Sequence, residues 1–246
     1  YKKEYRDLVK EWHPDVNRNS IAVEVFHKLT TLYDRAVLSD SKGGDRELAC
    51  LKLKARNGKT YKLRYNIQHD FELGTFYVAD TVIMYVINKE HENFYRNALK
   101  QIEGLHYADD SMKKEFEKYL PSVVAGFETK DRWVLVIKKA RDFYTLYDLL
   151  DFYDGKVPHK HVAWIMSSLY NLTCFFDYNK ITHNSLTLDN YLVSPLKHEG
   201  AITGGWWYTT QQKKKMLGVK KETYNIMSIK SKKRKETNIK TDLESI

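Results

Sequence analysis

Residues 181–193 read ITHNSLTLDNYLV and end in the strand-like Leu192-Val193. Just upstream, Val162, Ile165, Met166, Leu169, Leu172 and Phe176 recur at three- and four-residue steps, which predicts a long buried helix; a shorter one is predicted over Leu146 to Phe152. Further back the period changes to two. Residues 51–65, LKLKARNGKTYKLRY, alternate apolar and polar positions on both sides of Asn57-Gly58, a strong local hairpin signal. Strands are predicted at Thr75 to Ala79, Val82 to Ile87, Val123 to Phe127 and Trp133 to Ile137, with an intervening helix showing Phe94, Ala98, Ile102 and Leu105 on one face. Strands first and helices afterwards indicate an α+β domain with segregated halves.

In that setting, residues 181–193 resemble the catalytic loop of protein kinases. His183 stands where the family's catalytic-loop His is found, Leu186 and Asn190 match its Leu and metal-binding Asn, and Leu192-Val193 match the strand that follows. The resemblance extends loosely over Tyr61 to Ile246, with Asp242 at the start of the helix that anchors the family's lower lobe. It implies a two-lobed domain with a β-rich upper lobe over 61–140 and a partial helical lower lobe over 141–246, the remaining helices lying beyond Ile246.

Phosphoryl transfer needs the nucleotide's charge neutralised and the acceptor hydroxyl oriented. At the matching positions this chain departs from the family. Ser185 replaces the Asp that accepts the substrate proton, and a general base contributes roughly 10²- to 10⁴-fold. Thr187 replaces the usual Lys. The metal-binding Asp falls within AITGGWWYTT (201–210), and none of Thr203, Gly204 and Gly205 carries a carboxylate. VIMYVIN (82–88) replaces the lysine-bearing strand, with Tyr85 or Val86 near the Lys position and the partner Glu falling near Ala98. The nucleotide-covering loop, expected within Tyr65 to Val78, holds one glycine, Gly74.

The resemblance therefore implies a pseudokinase with no catalytic residue, no metal and no cofactor. Asn190 is expected to cap a turn, His183 to bond nearby backbone and Asp242 to hold the loop's shape. In Gly204-Gly205-Trp206-Trp207-Tyr208 the glycines permit backbone paths closed to other residues. The Trp rings either fill the vacated nucleotide pocket or pack in the core.

Residues 1–40 have a separate pattern. Tyr1, Tyr5, Leu8, Val9 and Trp12 share one helical face, with Lys2, Lys3, Arg6 and Lys10 opposite. Pro14 stops that helix and places His13 and Asp15 on a turn. Val23, Phe26, Leu29, Leu32, Tyr33 and Ala36 mark a second helix running back. YKKEYRDLVKEWHPDVN (1–17) resembles the J-domain of DnaJ-type co-chaperones, and Leu38-Ser39-Asp40 resembles that domain's usual ending. The resemblance implies contact with a DnaK-type ATPase chaperone, the basic face steering onto an acidic surface while His13, Pro14 and Asp15 promote ATP hydrolysis. The family's first helix is expected before Tyr1, since so short a piece rarely builds its own core.

The bulk numbers suit a soluble chain of one or two domains: 246 residues, 42% hydrophobic and 30% charged, with no apolar run long enough to cross a bilayer and no signal-peptide pattern. Cys50 and Cys174 lack metal or redox spacing, which fits a reducing, cytoplasmic setting; His159, His161, His183 and His198 likewise force no metal site. Residues 41–60 read as linker (Ser39 to Arg46) and an added hairpin strand. The net charge of +9 is concentrated late, in Lys213-Lys214-Lys215, Lys220-Lys221 and Lys232-Lys233-Arg234-Lys235. Residues 211–240 are read as a lengthened, solvated activation segment in preference to a nucleic-acid or acidic-partner site. The Lys-, Asn- and Tyr-rich composition suits a bacterium or its phage. The expected function is a J-domain co-chaperone whose kinase-like domain is a scaffold for a protein client. The alternatives are a divergent nucleotide-binding kinase and a non-enzymatic protein that binds nucleic acid or an acidic partner.

Overall fold

A computed structural model describes residues 2–40, 49–195 and 197–246, without the side chains of Lys2, Thr31 and residues 34–40. Two compact units are present: Tyr1–Leu51 with Lys62–Asn66, and Lys52–Tyr61 with Ile67–Ile246.

The first unit holds α1 (Lys2–Trp12) and α2 (Ala22–Asp40). They run antiparallel: the Tyr5 ring stacks on Tyr33 at 3.8 Å, its hydroxyl donates to Thr30 Oγ1 at 3.2 Å, and His13 meets Phe26 at the other end. The buried seam is narrower than the predicted stripe. Tyr5, Val9, Ala22 and Phe26 are buried, whereas Leu8, Val23 and Leu32 are exposed. Helix α2 runs through Asp40, so Leu38-Ser39-Asp40 forms its last described residues. Tyr1 and the linker positions 41–46 lie outside the described residues.

Between α1 and α2, Val16 and Asn17 both donate backbone N–H to the His13 carbonyl, at 2.9 and 2.8 Å. The His13 ring stands edge-on to Phe26 at 5.1 Å, and its Nδ1 accepts from the Asp15 backbone N–H at 3.2 Å. Where a presented imidazole is expected, the His13 ring is turned toward Phe26 and is 7% exposed; Pro14 is half-buried and Asp15 exposed.

Strands β1 (Ala49–Lys54) and β2 (Thr60–Tyr65) form the predicted hairpin. At its turn Gly58 adopts φ 84°, and Asn57 Oδ1 accepts from the Lys59 N–H at 3.0 Å.

The second unit begins with β3 (Ile67–Phe71), β4 (Gly74–Val78), β5 (Val82–Asn88), helix α3 (Glu92–Glu103), helix α4 (Asp110–Phe116), β6 (Val123–Glu128) and β7 (Arg132–Lys138). The strands form one antiparallel sheet in the order β3-β4-β5-β7-β6. Ile83 opposes Ile137, Tyr85 opposes Leu135 and Ile87 opposes Trp133, so apolar residues face one another along the two central strands. Helix α3 buries Tyr95, Ala98 and Gln101; Phe94 and Ile102 are only partly covered, and Leu105 lies past the helix end. The face is rotated from the predicted one because Tyr95 stacks on Trp133 at 5.0 Å.

After the sheet come β8 (Tyr144–Thr145), α5 (Leu146–Phe152), α6 (His159–Tyr178), β9 (Ile181–Thr182), β10 (Tyr191–Ser194), β11 (Glu199–Ile202), β12 (Thr210–Gln211), α7 (Lys221–Ile226), α8 (Ile229–Arg234) and α9 (Ile239–Leu243). Thr145 caps α5 by accepting from the Asp148 N–H at 3.0 Å. Helix α6 buries Ile165, Leu169, Leu172 and Phe176, while Val162, in its first turn, is exposed. One apolar core runs from β5 and β7 through α3 and α6 to Trp206, Trp207 and Tyr208.

The reading of 211–240 as a solvated loop needs correction. β12 pairs with β9, Thr210 opposite Thr182, and α7 and α8 follow, anchored by buried Thr223 and Met227. A bridge between Lys215 and Glu236 closes the segment on itself.

Candidate functional site

The loop between β9 and β10 is shaped from below. Near the C-terminal end of α9, Asp242 accepts the backbone N–H of His183 on one carboxylate oxygen (2.6 Å) and that of Asn184 on the other (2.9 Å). Burial pushes the Asp242 carboxyl up to about 7, and the two amides pull it the other way. The His183 ring stacks on Phe176 at 5.6 Å and meets the edge of Trp206 at 5.1 Å; burial takes its imidazole down to about 3, leaving it neutral. Gly205, at φ 79°, leaves no room for a side chain, since a Cβ there would lie 2.6 Å from His183 Cε1.

Asn190 is turned into the same loop. Its amide nitrogen donates to the Ser185 carbonyl (3.2 Å), Ser185 Oγ (2.7 Å) and Thr187 Oγ1 (3.0 Å). Gly204 packs so closely that a Cβ would come within 2.1 Å of Asn190 Oδ1 and 2.8 Å of the Tyr85 hydroxyl. A side chain at that position would force Asn190 or Tyr85 to shift.

Above the loop, aromatic rings fill the space. Tyr85, and not Val86, belongs to this buried cluster, with its hydroxyl 3.3 Å from Thr203 Oγ1 and its phenol pushed up by burial. Trp207 lies 5.0 Å from Phe71 and 5.1 Å from Tyr85, and Phe76 stands 5.6 Å from Tyr85. The two open alternatives for the Trp pair thus divide: Trp207 enters the space under the β3–β4 hairpin, and Trp206 packs in the core against Phe176 and His183. That hairpin turns through Glu72-Leu73, with Leu73 buried; at Gly74 a Cβ would meet the Val86 carbonyl at 2.1 Å. From α3, Asn97 donates to the carbonyls of Trp207 and Thr209, both at 2.9 Å, so this helix is tied to the cluster through backbone without any carboxylate.

The charge in the site comes from Lys220. Its ammonium bonds the Asp189 carboxylate and lies 4.0 Å from Glu72 Oε1, with the side chain 8% exposed. Thr187 donates its hydroxyl to the other Asp189 oxygen at 2.7 Å. Lys220 therefore links the turn of the β3–β4 hairpin to the residue preceding Asn190. The groups present do not fit Mg²⁺: beside Asn190, Thr203 and Gly204 supply no carboxylate, and Lys220 already neutralises Asp189.

A solved structure titled "Structure of vaccinia related kinase 3" is similar to this chain with a TM-score of 0.56 over 88% of this chain and 70% of the other. The fold is that of a protein kinase. At 16% identity the likeness is one of fold. No protein-family profile matches the chain, and no curated protein matches it.

On this kinase fold, His183, Ser185, Asn190, Gly204, Gly205, Trp206 and Asp242 come together around one loop. His13, Pro14 and Asp15 belong to the other unit, as do exposed Lys3 and Lys10 and half-buried Arg6; the Lys2 side chain lies outside the described residues. Sequence reasoning missed Lys220, Asp189, Asn97 and Phe71. Lys220 carried no distinguishing signal, being one lysine in a basic run. Asp189, adjoining the recognised Asn190, was open to notice as a carboxylate needing a counter-charge.

Proposed function

We propose that the kinase-fold unit is non-catalytic and serves as a protein-binding scaffold, and that the N-terminal hairpin acts as a J-type co-chaperone element toward a DnaK-type ATPase. The observation that carries the first part is the Lys220 ammonium bound to Asp189 beside Asn190, under a hairpin packed on Phe71, Tyr85 and Trp207. A nucleotide would have to break an ion pair whose ammonium is buried and displace packed aromatic rings before any phosphate could be bound. With Ser185 in place of a carboxylate base, nothing there takes the acceptor proton.

The second part is supported by the sequence of α1, by the exposed Lys3 and Lys10 on it and by the exposed Asp15 at the joint. Such a cationic face raises the encounter rate with an acidic chaperone surface, in a salt-dependent way. Both cysteines are free and exposed, which accords with the proposed reducing cytoplasmic setting, in a bacterium or a phage-infected cell. Client choice would then rest with the kinase-fold unit.

Two measurements separate these parts. In a steady-state ATPase assay with a DnaK-type chaperone, the chain is expected to raise turnover and His13→Gln to abolish the rise; equal stimulation by both removes the co-chaperone reading. In thermal unfolding, ATP with Mg²⁺ is expected to leave Tm unchanged. A rise in Tm accompanied by transfer of labelled phosphate would establish a divergent kinase in its place.

A further inference from the structure

We infer that the folded basic segment, residues 211–240, is a binding surface for the phosphate backbone of nucleic acid. It holds eleven of the chain's 41 Lys and Arg residues but two of its 32 Asp and Glu, so the whole +9 of the protein belongs to these 30 residues and the remainder is balanced. Two runs dominate, Lys213-Lys214-Lys215 and Lys233-Arg234-Lys235, all six exposed and none in an ion pair among the described residues. Some exposed cations elsewhere are neutralised within the fold, Arg56 by Glu128 at 2.9 Å, Arg96 by Glu92 at 2.6 Å and Lys197 by Asp142 at 3.1 Å.

The fold brings the two runs side by side. Met216 donates its backbone N–H to the Lys235 carbonyl at 2.9 Å, and Lys215 bridges to Glu236. Both ends of this pairing use left-handed backbone at a lysine, φ 62° at Lys213 and 54° at Lys235, which a side chain adopts only at a cost. Like charges gathered in this way repel one another, and an external polyanion relieves the repulsion. Lysine predominates, and flexible point charges suit a uniform array of phosphates better than a single bidentate site does. Tyr224 stands among them, 45% exposed, with Lys232 Nζ 4.9 Å from its ring centre, and offers a face on which an unpaired base can stack. Ile229 is also exposed at the start of α8, which makes an anionic bilayer the competing partner.

The test is fluorescence anisotropy of the whole chain with a fluorescein-labelled oligo(dT) of about 20 nucleotides, titrated from about 50 to about 300 mM NaCl. Six phosphate contacts predict a slope of log K against log[salt] of about −4. Lys214→Gln/Lys215→Gln and, separately, Lys233→Gln/Arg234→Gln should each flatten the slope by about 1.4 and weaken binding at low salt about tenfold or more, with Tm held at the wild-type value. Absence of binding, or both double variants binding like wild type, overturns the inference. So does binding to phosphatidylserine vesicles without binding to the oligonucleotide, which would assign the surface to a membrane. Binding of poly-glutamate as tight as that of oligo(dT) would assign it to an acidic protein.

Discussion

The space under the β3–β4 hairpin and the basic segment beside it treat charge in opposite ways. In the former, Asp189 has both Lys220 and the Thr187 hydroxyl, Asp242 has two backbone amides, and aromatic rings occupy the remaining volume. In the latter, Lys213 to Lys215 and Lys233 to Lys235 are exposed, with no carboxylate partner among the described residues. Lys214 and Lys220 are six residues apart in one segment, yet one is an exposed cation and the other a buried counter-ion. On the proposed non-catalytic reading, the kinase fold keeps its shape by supplying from within the charges and volume that nucleotide and metal would otherwise provide.

The strongest way to break this contrast is Trp207→Ala. If the ring between Phe71 and Tyr85 is structural filling, its removal should cost about 3–5 kcal/mol in urea unfolding. A loss under about 1 kcal/mol would mean that the space tolerates emptiness, and with it a ligand.

Asp242→Asn is next, expected to lose about 1.5–3 kcal/mol as one of two charge-assisted hydrogen bonds disappears. Its pH dependence sharpens the point. The Asp242 carboxyl is raised from 3.8 to about 7, so its contribution to stability falls as pH climbs through that window. The His183 imidazole is lowered from 6.5 to about 3, so its contribution grows with pH over that range. The two oppose each other in the wild type. In Asp242→Asn only the His183 slope remains, and unfolding midpoints should rise from pH about 4 to about 6.5. Midpoints that fall across those values would show that Asp242 is not the opposing group.

Lys220→Met leaves Asp189 and Glu72 without their shared cation. Since those carboxylates are 31% and 41% exposed, the expected loss is about 2 kcal/mol, less than for a fully buried pair. Lys214→Met completes the series with a change within about 0.5 kcal/mol of zero. Equal effects of the two lysine substitutions would erase the distinction between the regions.

Much of the second unit was legible in sequence because its signals are local. VIMYVIN and RWVLVIK are continuous apolar runs and became the two central strands, and Asn57-Gly58 turned a hairpin as its φ requirement demands. The losses at Ser185 and within residues 203 to 205 are visible in the letters because no carboxylate stands at any of these positions. The buried face of α3 was misjudged because Tyr95, chosen by its stack on Trp133, outcompeted Phe94 for the core. His13 was placed on the outside because its inward partner, Phe26, lies on the other helix.

The amino-acid order alone determined the strand and helix periods, the two-part division of pattern and the absence of a phosphate-handling carboxylate at residues 203 to 205, since each is a property of neighbours within a few positions. Only the tertiary structure decided which lysine becomes a counter-ion, which tryptophan enters the space under the hairpin and which charges stay unanswered. Those outcomes depend on partners as far as 148 residues away, as Glu72 is from Lys220, and Coulomb and packing energies are set by distance in space rather than by separation along the chain.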